Sequence, residues 1–502
     1  MDQWNIKYQN KMIRFINHLK SSYNSIQFID LKSNITVEWI ENMIDLKNSI
    51  GTISPPYQSD QLIVTTQRVP KLHDVSEYPL LYIVIRHIYP KVKTQKYFNT
   101  IHNIDDFAHF VEWYRINHIH LSFNQLLDQI DHSNELHHLF AIMERGTTPL
   151  KILYDVCYDN RFIGLTTIHE FESFDKLYYE INFDGALLKV FFNHDQTNEE
   201  IMQIISKIIY IMKFIKAYVN QIPHKKNKKN IVLNVIVLLS REKKKLPTKT
   251  QILCPNNVNS GMSMTGKIVY CWRYEEMQKV LIHEMVHFYG LDFNESTSNY
   301  NLVMDPIIKD MIRYVGIDHS NEAYTEFIAV VLNTILISNT IVEFVEKINI
   351  EFYHMLIQIS KIINHFCDTT KCNLFDITIL QNTSVRSYYI LKCMLIFNIE
   401  RMIEFIAHND MRNNDMRNND MRNNDMRNND MRNNDMRNND MRNNDMRNNA
   451  KIKKYAEIMI DSYKKFINNN DICSALKYIS NYLNELRDKQ WIHLNMRMTV
   501  FG

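Results

Sequence analysis

The sequence is poor in the two residues that most often interrupt regular structure. Its 502 residues include 9 glycines and 10 prolines, whereas an average protein has about 7% glycine and about 5% proline. After Gly316 no glycine occurs before Gly502, and no proline follows Pro306. Since this breaker-free part carries Ile, Leu and Phe at helical spacing, it predicts a helical C-terminal lobe.

Long apolar runs and export signals are missing as well. No uninterrupted apolar run reaches the roughly 18 residues needed to span a membrane. The most apolar stretch, residues 327–345, is interrupted by polar residues and predicts one or two buried helices. The first residues show neither the basic nor the apolar part of a signal peptide. We therefore expect a soluble intracellular protein with no membrane partner.

Charge and cysteine content exclude further classes. A net charge of +2 makes nucleic acid an unlikely partner, because no general attraction to phosphates exists. The seven cysteines are scattered and odd in number, which favours free thiols in a reducing compartment over a disulfide framework. With 45% hydrophobic and 23% charged residues, the chain is typical of a globular protein with two or three domains.

One motif stands out in what is present. Residues 278–290 form an apolar run that contains His283, Glu284 and His287 in the pattern His-Glu-x-x-His. On a helix, residues four apart share a face, so both imidazoles can bind one ion. Glu284 would lie beside that ion, placed to take a proton from activated water. Gly290 stands where the helix would end.

A catalytic zinc site needs a third protein ligand, and two parts of the sequence could provide it. A ligand six residues after the second histidine would fall on Phe293, which cannot bind zinc, while Asp292 is one residue out of register. Alternatively, Glu322 and Glu326 lie four residues apart near the start of a second predicted helix that ends near residue 337. One carboxylate could bind zinc and the other could accept the second ring N–H of a ligating histidine.

These two motifs together resemble the gluzincin metallopeptidases, the thermolysin-like family with the pattern HExxH…NExxxE. The resemblance implies an α+β, mainly α fold: a zincin-like catalytic core with a small mixed sheet, an active-site helix and a helical C-terminal lobe. It implies that one Zn²⁺ ion is bound by His283, His287 and Glu322, and that Glu326 orients the first histidine. The insert between the motifs is longer than in thermolysin, and the orienting residue is Glu rather than Asp.

The expected function is hydrolysis of peptide bonds in a peptide or protein substrate by zinc-activated water, with Glu284 as general base. A further donor must stabilise the transition state; Tyr324, His319 and Tyr388, the last within the Arg386/Tyr388/Tyr389 group, are the candidates. The alternative is a non-enzymatic interaction protein with a vestigial or structural zinc site. Glu284 favours the enzyme, because a structural zinc needs no base and usually has four protein ligands.

Domain organisation follows from shifts in pattern along the chain. We expect a mainly helical supporting region (1–150), an α+β part upstream of the catalytic unit (151–250), a zincin core with a helical lobe (251–410), a tandem repeat (411–450) and C-terminal helices (451–502). Within the second part, Asp184-Gly185 predicts a hairpin turn, residues 201–219 a buried helix and residues 231–239 a buried strand.

The repeat consists of eight copies of Met-Arg-Asn-Asn-Asp, the last ending in Ala. Each full copy is neutral, poor in helix formers and has one apolar residue in five, so disorder is the first prediction. A β-solenoid also places one apolar residue every five, but it needs a small residue where this repeat has Asn.

The composition also carries a bias that bears on origin. Lys, Ile, Asn and Tyr are abundant while glycine and proline are scarce, and the abundant residues have A/T-rich codons. In this respect the chain is similar to proteins of giant DNA viruses. Such an origin would place it in the cytoplasm of a host cell or in a virion.

Overall fold

A computed structural model describes much of the chain and is mainly helical, with two sheets. The described residues are 2–22, 27–50, 63–68, 177–192, 197–222, 231–293, 298–309, 311, 313–316, 319–367, 377–408, 433–486 and 490–501. The expected α+β, mainly α class with a small mixed sheet is confirmed at this level. The histidines between residues 118 and 138 lie outside the described residues.

The larger sheet is mixed and has the strand order β1-β2-β3-β4-β6-β5. Its first four strands are β1 (Ile63–Arg68), β2 (Leu177–Phe183), β3 (Ala186–Phe192) and β4 (Leu233–Leu238); the others are β5 (Gly261–Met264) and β6 (Ile268–Cys271). The pairs β3–β4 and β4–β6 are parallel, whereas β1–β2, β2–β3 and β5–β6 are antiparallel. Among the described strands, β5 is therefore an edge strand.

Helices make up most of the remaining structure. In chain order they are α1 (Asp2–Ser22), α2 (Asn34–Ser49), α3 (Asn198–Gln221), α4 (Pro255–Val258), α5 (Met277–Phe288), α6 (Ser298–Lys309), α7 (Asn321–Leu336), α8 (Ile341–Phe366), α9 (Lys392–Phe397), α10 (Asn433–Ile467), α11 (Asn470–Glu485) and α12 (Gln490–His493). A π-helical turn, Arg386–Leu391, leads directly into α9, and residues 399–408 are also helical.

The part upstream of the HExxH motif forms as its sequence predicts. Asp184 and Gly185 make a two-residue turn between β2 and β3 with φ values of 46° and 72°, the left-handed backbone that such hairpins need. The predicted buried helix is α3, which begins at a capping box between Thr197 and Glu200 and connects the parallel strands β3 and β4. The predicted hairpin, helix and strand are confirmed.

The helix with the HExxH motif, α5, is enclosed by other elements. It packs on β5 and β6, beside α3, and against α7. The apolar stretch 327–345 divides into α7 and the start of α8, with a break at residues 337–340. The expected helical lobe after Gly316 is present, with one short exception: β8 (Ile379–Gln381) pairs in parallel with β7 (Tyr314–Gly316).

The repeat differs from expectation where it is described. Residues 433–450 lie in α10, in contrast to the disorder expected for the whole repeat; residues 411–432 lie outside the described residues. The downstream part of α10 buries Ile452, Tyr455 and Met459 in the core. Extending a helix that packing already holds needs no new nucleation, which explains how a sequence poor in helix formers joins it.

One hydrophobic core connects all these parts. Residues from α1, α2, the larger sheet and the helical lobe belong to a single buried cluster, so the described N-terminal helices pack on the same body as α5. No helix in the described part of the chain has the length and apolarity to cross a membrane.

The cysteines depart from expectation at one position. The free thiols are Cys254, Cys271, Cys393 and Cys473. Cys367 is disulfide-bonded, and its partner lies outside the described residues. The expectation of free thiols throughout is therefore wrong at Cys367.

We expect Gly316→Ala to destabilise the protein more than Gly185→Ala. Both glycines have positive φ, so both substitutions impose backbone strain of about 1–3 kcal/mol. At Gly316, however, a Cβ would overlap the carbonyl oxygen of Gln381 in β8, whereas at Gly185 it would meet no atom within 4 Å. Thermal unfolding of the two variants measures the difference. Equal melting temperatures would show that the β7–β8 contact is not close.

Candidate metal centre

Residues with a left-handed backbone conformation flank α5 at both ends. The residue before it, Glu276, has φ 62°, and Gly290 after it has φ 56°. At the C-terminal end, Gly290 N–H donates to His287 O and Leu291 N–H donates to Val286 O, both at 2.9 Å. This is the glycine-terminated end that the sequence predicts. It turns the chain back toward His287.

Three predicted ligand atoms converge beside this helix. Nε2 of His283 and Nε2 of His287 are 3.1 Å apart. Oε2 of Glu322, from the first turn of α7, lies 3.1 Å from the former and 3.4 Å from the latter. Among the described residues, no fourth His, Cys, Asp or Glu joins this group.

The spacing of these atoms fits a tetrahedral metal ion. Ligands at about 2.0–2.1 Å from zinc in a tetrahedral site are about 3.3 Å apart, close to the three distances here. A point about 2 Å from all three atoms exists just outside their plane, within the bond lengths that zinc makes. Two imidazoles and one carboxylate would leave the fourth position of such an ion open. The residues present therefore fit a metal ion.

Each histidine has a carboxylate on its other nitrogen. Oε1 of Glu326, one helical turn after Glu322, lies 2.9 Å from His283 Nδ1. Oδ2 of Asp292 lies 2.7 Å from His287 Nδ1. Such partners fix the tautomer and direction of a ligating imidazole.

Glu326 lies where the sequence predicted an orienting carboxylate, but Asp292 was missed in this position. Asp292 was considered only as a ligand out of register. The turn at Gly290 brings it back to the far side of His287, so it contacts the histidine rather than the ligand cluster. The signal available in the sequence was a carboxylate two residues after a helix-ending glycine.

Glu284 projects toward the edge strand β5. Its Oε2 accepts a hydrogen bond from Ser263 Oγ at 2.9 Å. A Cβ at Gly261 would come within 2.7 Å of Glu284 Cγ and Oε1, so only glycine allows the strand this close. Burial raises the pKa of the Glu284 carboxyl above its usual value, against the lowering effect of His283 and His287. A raised pKa suits a group that accepts and returns a proton near neutral pH.

The carboxylates and imidazoles of the site shift one another's pKa values. Burial lowers the pKa of both imidazoles, but the carboxylates beside them outweigh it, so the pKa values of His283 and His287 lie above the ordinary one. Burial raises the pKa of Glu322, yet His287 and His283 bring it below the usual range. The protons that these carboxylates attract to the histidines are the ones that a bound cation would displace.

The three candidate donors lie in different surroundings. The ring of Tyr388, in the π-helical turn, stands 6.2 Å from that of His283. Burial, followed by Glu322 and Glu284, raises its pKa, so the phenol keeps its proton. Tyr324 is 3% exposed and packs in an aromatic cluster with Phe293 and Tyr455.

His319 lies in the turn before α7 and is exposed, and its backbone N–H donates to Ser384 Oγ. Phe293, the residue at the position of a third ligand in the alternative motif, is buried in the same aromatic cluster as Tyr324. Of the three candidates, Tyr388 is the one whose ring contacts a predicted ligand.

Two buried lysines complete the site, and neither was among the site residues predicted from the sequence. Lys279 Nζ bonds Glu326 Oε1, and Lys392 Nζ lies 3.0 Å from Glu326 Oε2. Lys279 stands four residues before His283 on α5, a spacing that could have indicated it. Lys392 comes from α9, and no local pattern connects it to the motif.

Comparison with known proteins gives little beyond this geometry. Uncharacterized protein R210 of Acanthamoeba polyphaga mimivirus is 27% identical over 173 residues, which cover 30% of this chain and 42% of that protein. The chain thus matches less than half of that relative's length. No protein-family model matches the chain, and no solved structure matches it.

Proposed function

We propose that this protein is a zinc-dependent metallopeptidase with a zincin-like catalytic core. The observation that carries the proposal is the convergence of His283 Nε2, His287 Nε2 and Glu322 Oε2 at distances that suit zinc. Glu284 lies on the helix that carries both histidines. Three protein ligands with one open position are typical of catalytic zinc, whereas structural zinc usually has four.

A bound zinc ion would supply a Lewis acid that activates water and polarises the substrate carbonyl. Glu284 accepts the proton from the attacking water and passes it to the leaving amine. Ser263 and the close approach of Gly261 hold the Glu284 carboxylate in place for both transfers. Tyr388, protonated and beside His283, donates a hydrogen bond to the oxygen on which negative charge develops.

The proposed substrate is an extended peptide that lies along β5. This strand pairs with β6 on one side and is an edge strand of the described sheet. An edge strand can add a peptide by backbone hydrogen bonding, which holds the scissile bond over the site regardless of side chains. Because β5 contacts Glu284 directly, a peptide paired there would lie next to the proposed base.

Glu322→Gln is expected to yield protein that is largely free of zinc, because it weakens a direct ligand. Glu326→Gln should still bind zinc, with affinity or activity reduced by about 10–100-fold, since it removes only the partner of His283. Zinc content after dialysis, measured by atomic absorption against the wild type, separates the two. Retention of full zinc by Glu322→Gln would disprove its assignment as a ligand.

Glu284→Gln is expected to abolish peptide hydrolysis while retaining zinc, because it removes the base and none of the ligands. Cleavage of a mixed peptide library by wild type and variant, each loaded with one equivalent of zinc, tests this. Unchanged cleavage by the variant would disprove the assignment of Glu284 as the base. A wild type that binds zinc but cleaves nothing would instead favour the non-enzymatic interaction protein.

Tyr388→Phe is expected to reduce kcat by about 100–1000-fold, the usual effect of losing one donor to a developing oxyanion, with KM little changed. Tyr324→Phe is the matched control, since it removes the same hydroxyl from the aromatic cluster. If both variants lose activity equally, Tyr388 is not the donor.

A further inference from the structure

A network of buried charges lies behind the candidate site, on the side away from the three ligand atoms. Glu326 is 2% exposed, and its neighbours Lys279 and Lys392 are 1% and 0% exposed at their side chains. Oε1 of Glu326 contacts His283 Nδ1 and Lys279 Nζ, while Oε2 accepts a hydrogen bond from Lys392 Nζ. Both oxygens are therefore engaged, which fixes the plane of the carboxylate.

Both lysines also contact the same residue near the end of the chain. Lys392 Nζ donates to Met498 O at 3.0 Å, and Lys279 Nζ lies 3.4 Å from Met498 Sδ. Met498 N–H in turn bonds Oε1 of Glu276, and Thr499 N–H bonds the same atom at 2.6 Å. Met498 thus contacts both lysines that lie beside Glu326, as well as Glu276, the residue directly before α5.

Residues 494–501, here called the C-terminal segment, are held along nearly their whole length. Four backbone N–H groups of this segment, those of residues 498–501, bond glutamate side chains. Its carbonyl groups accept from Lys361, Gln358 and Asn333. Arg497 and Thr499 are fully buried. The segment is therefore part of the core next to α5.

Burying one carboxylate with two ammonium groups is costly, because each ion loses its hydration. To orient an imidazole, a carboxylate needs only one acceptor atom for the ring N–H, so that contact alone does not require two lysines. Here the lysines fix the position of the carboxylate, because they connect it to three separate elements: α5, α9 and the C-terminal segment. Groups behind a metal ligand that fix its direction change metal affinity without touching the metal.

We propose that Lys279 and Lys392, held by Met498 of the C-terminal segment, are positioning residues that set the direction of His283 through Glu326. This inference rests on the proposed zinc site and adds to it the residues that hold Glu326. None of the three contacts a ligand atom of the triad; each acts through the Glu326 carboxylate.

Lys392→Met tests the proposal, with Lys361→Met as the matched control. Lys361 is equally buried and also donates to the C-terminal segment, at Asn495 O, but it has no contact with Glu326. Zinc affinity of the folded proteins is measured by competition with a chelator, and circular dichroism confirms folding. We expect Lys392→Met to weaken zinc binding by about 10–100-fold and Lys361→Met to leave it unchanged, although both lower the melting temperature.

A double-variant cycle shows whether the effect passes through Glu326. In protein that already carries Glu326→Gln, adding Lys392→Met should cause no further loss of zinc affinity, since coupled residues are not additive. Lys279→Met serves in the same cycle if Lys392→Met does not fold. Equal weakening by Lys392→Met and Lys361→Met, or full additivity in the cycle, would overturn the proposal. A wild type that binds no zinc would instead overturn the metallopeptidase itself.

Discussion

The candidate site depends on the close contact between Glu326 and His283, whose Oε1 and Nδ1 atoms lie 2.9 Å apart. Because Glu326 is almost fully buried, its charge must be matched, and Lys279 and Lys392 lower its pKa well below the usual range against the opposing effect of burial. This carboxylate lies beside Nδ1 of His283, while Nε2 of the same ring faces Glu322 and His287. The ring of His287 is oriented by a local contact instead, because the turn at Gly290 brings Asp292 beside its Nδ1.

The packing of α5 extends this constraint to the rest of the protein. On one side α5 contacts the sheet, where the glycine at position 261 lets the edge strand approach Glu284. On another it faces α7, which carries Glu322 and Glu326 at adjacent turns. Glu276, the residue directly before α5, contacts Lys244 and the C-terminal segment and so connects the start of the helix to both. The proposed base, ligands and orienting groups thus come from elements that share one hydrophobic core.

The sequence predicted what depends on local spacing. His283 and His287 share a helix face, as do Glu322 and Glu326, and both pairs lie as their four-residue spacing indicates. It could not predict contacts that depend on long-range packing: Lys392 lies 66 residues after Glu326, and Met498 is further still. In the sequence, Asp292 stands one residue out of register for a ligand, whereas its contact with His287 depends on the turn at Gly290. The helix at residues 433–450 depends on packing of the residues that follow it.

In the proposed site, two imidazoles and one carboxylate bind zinc and leave one position open. X-ray absorption at the zinc edge, on protein reconstituted with one equivalent of zinc, tests this arrangement. We expect the zinc to have about four nitrogen and oxygen neighbours at about 2.0–2.1 Å, with imidazole scattering from two histidines. Sulfur at about 2.3 Å, or scattering from fewer than two imidazoles, would contradict it.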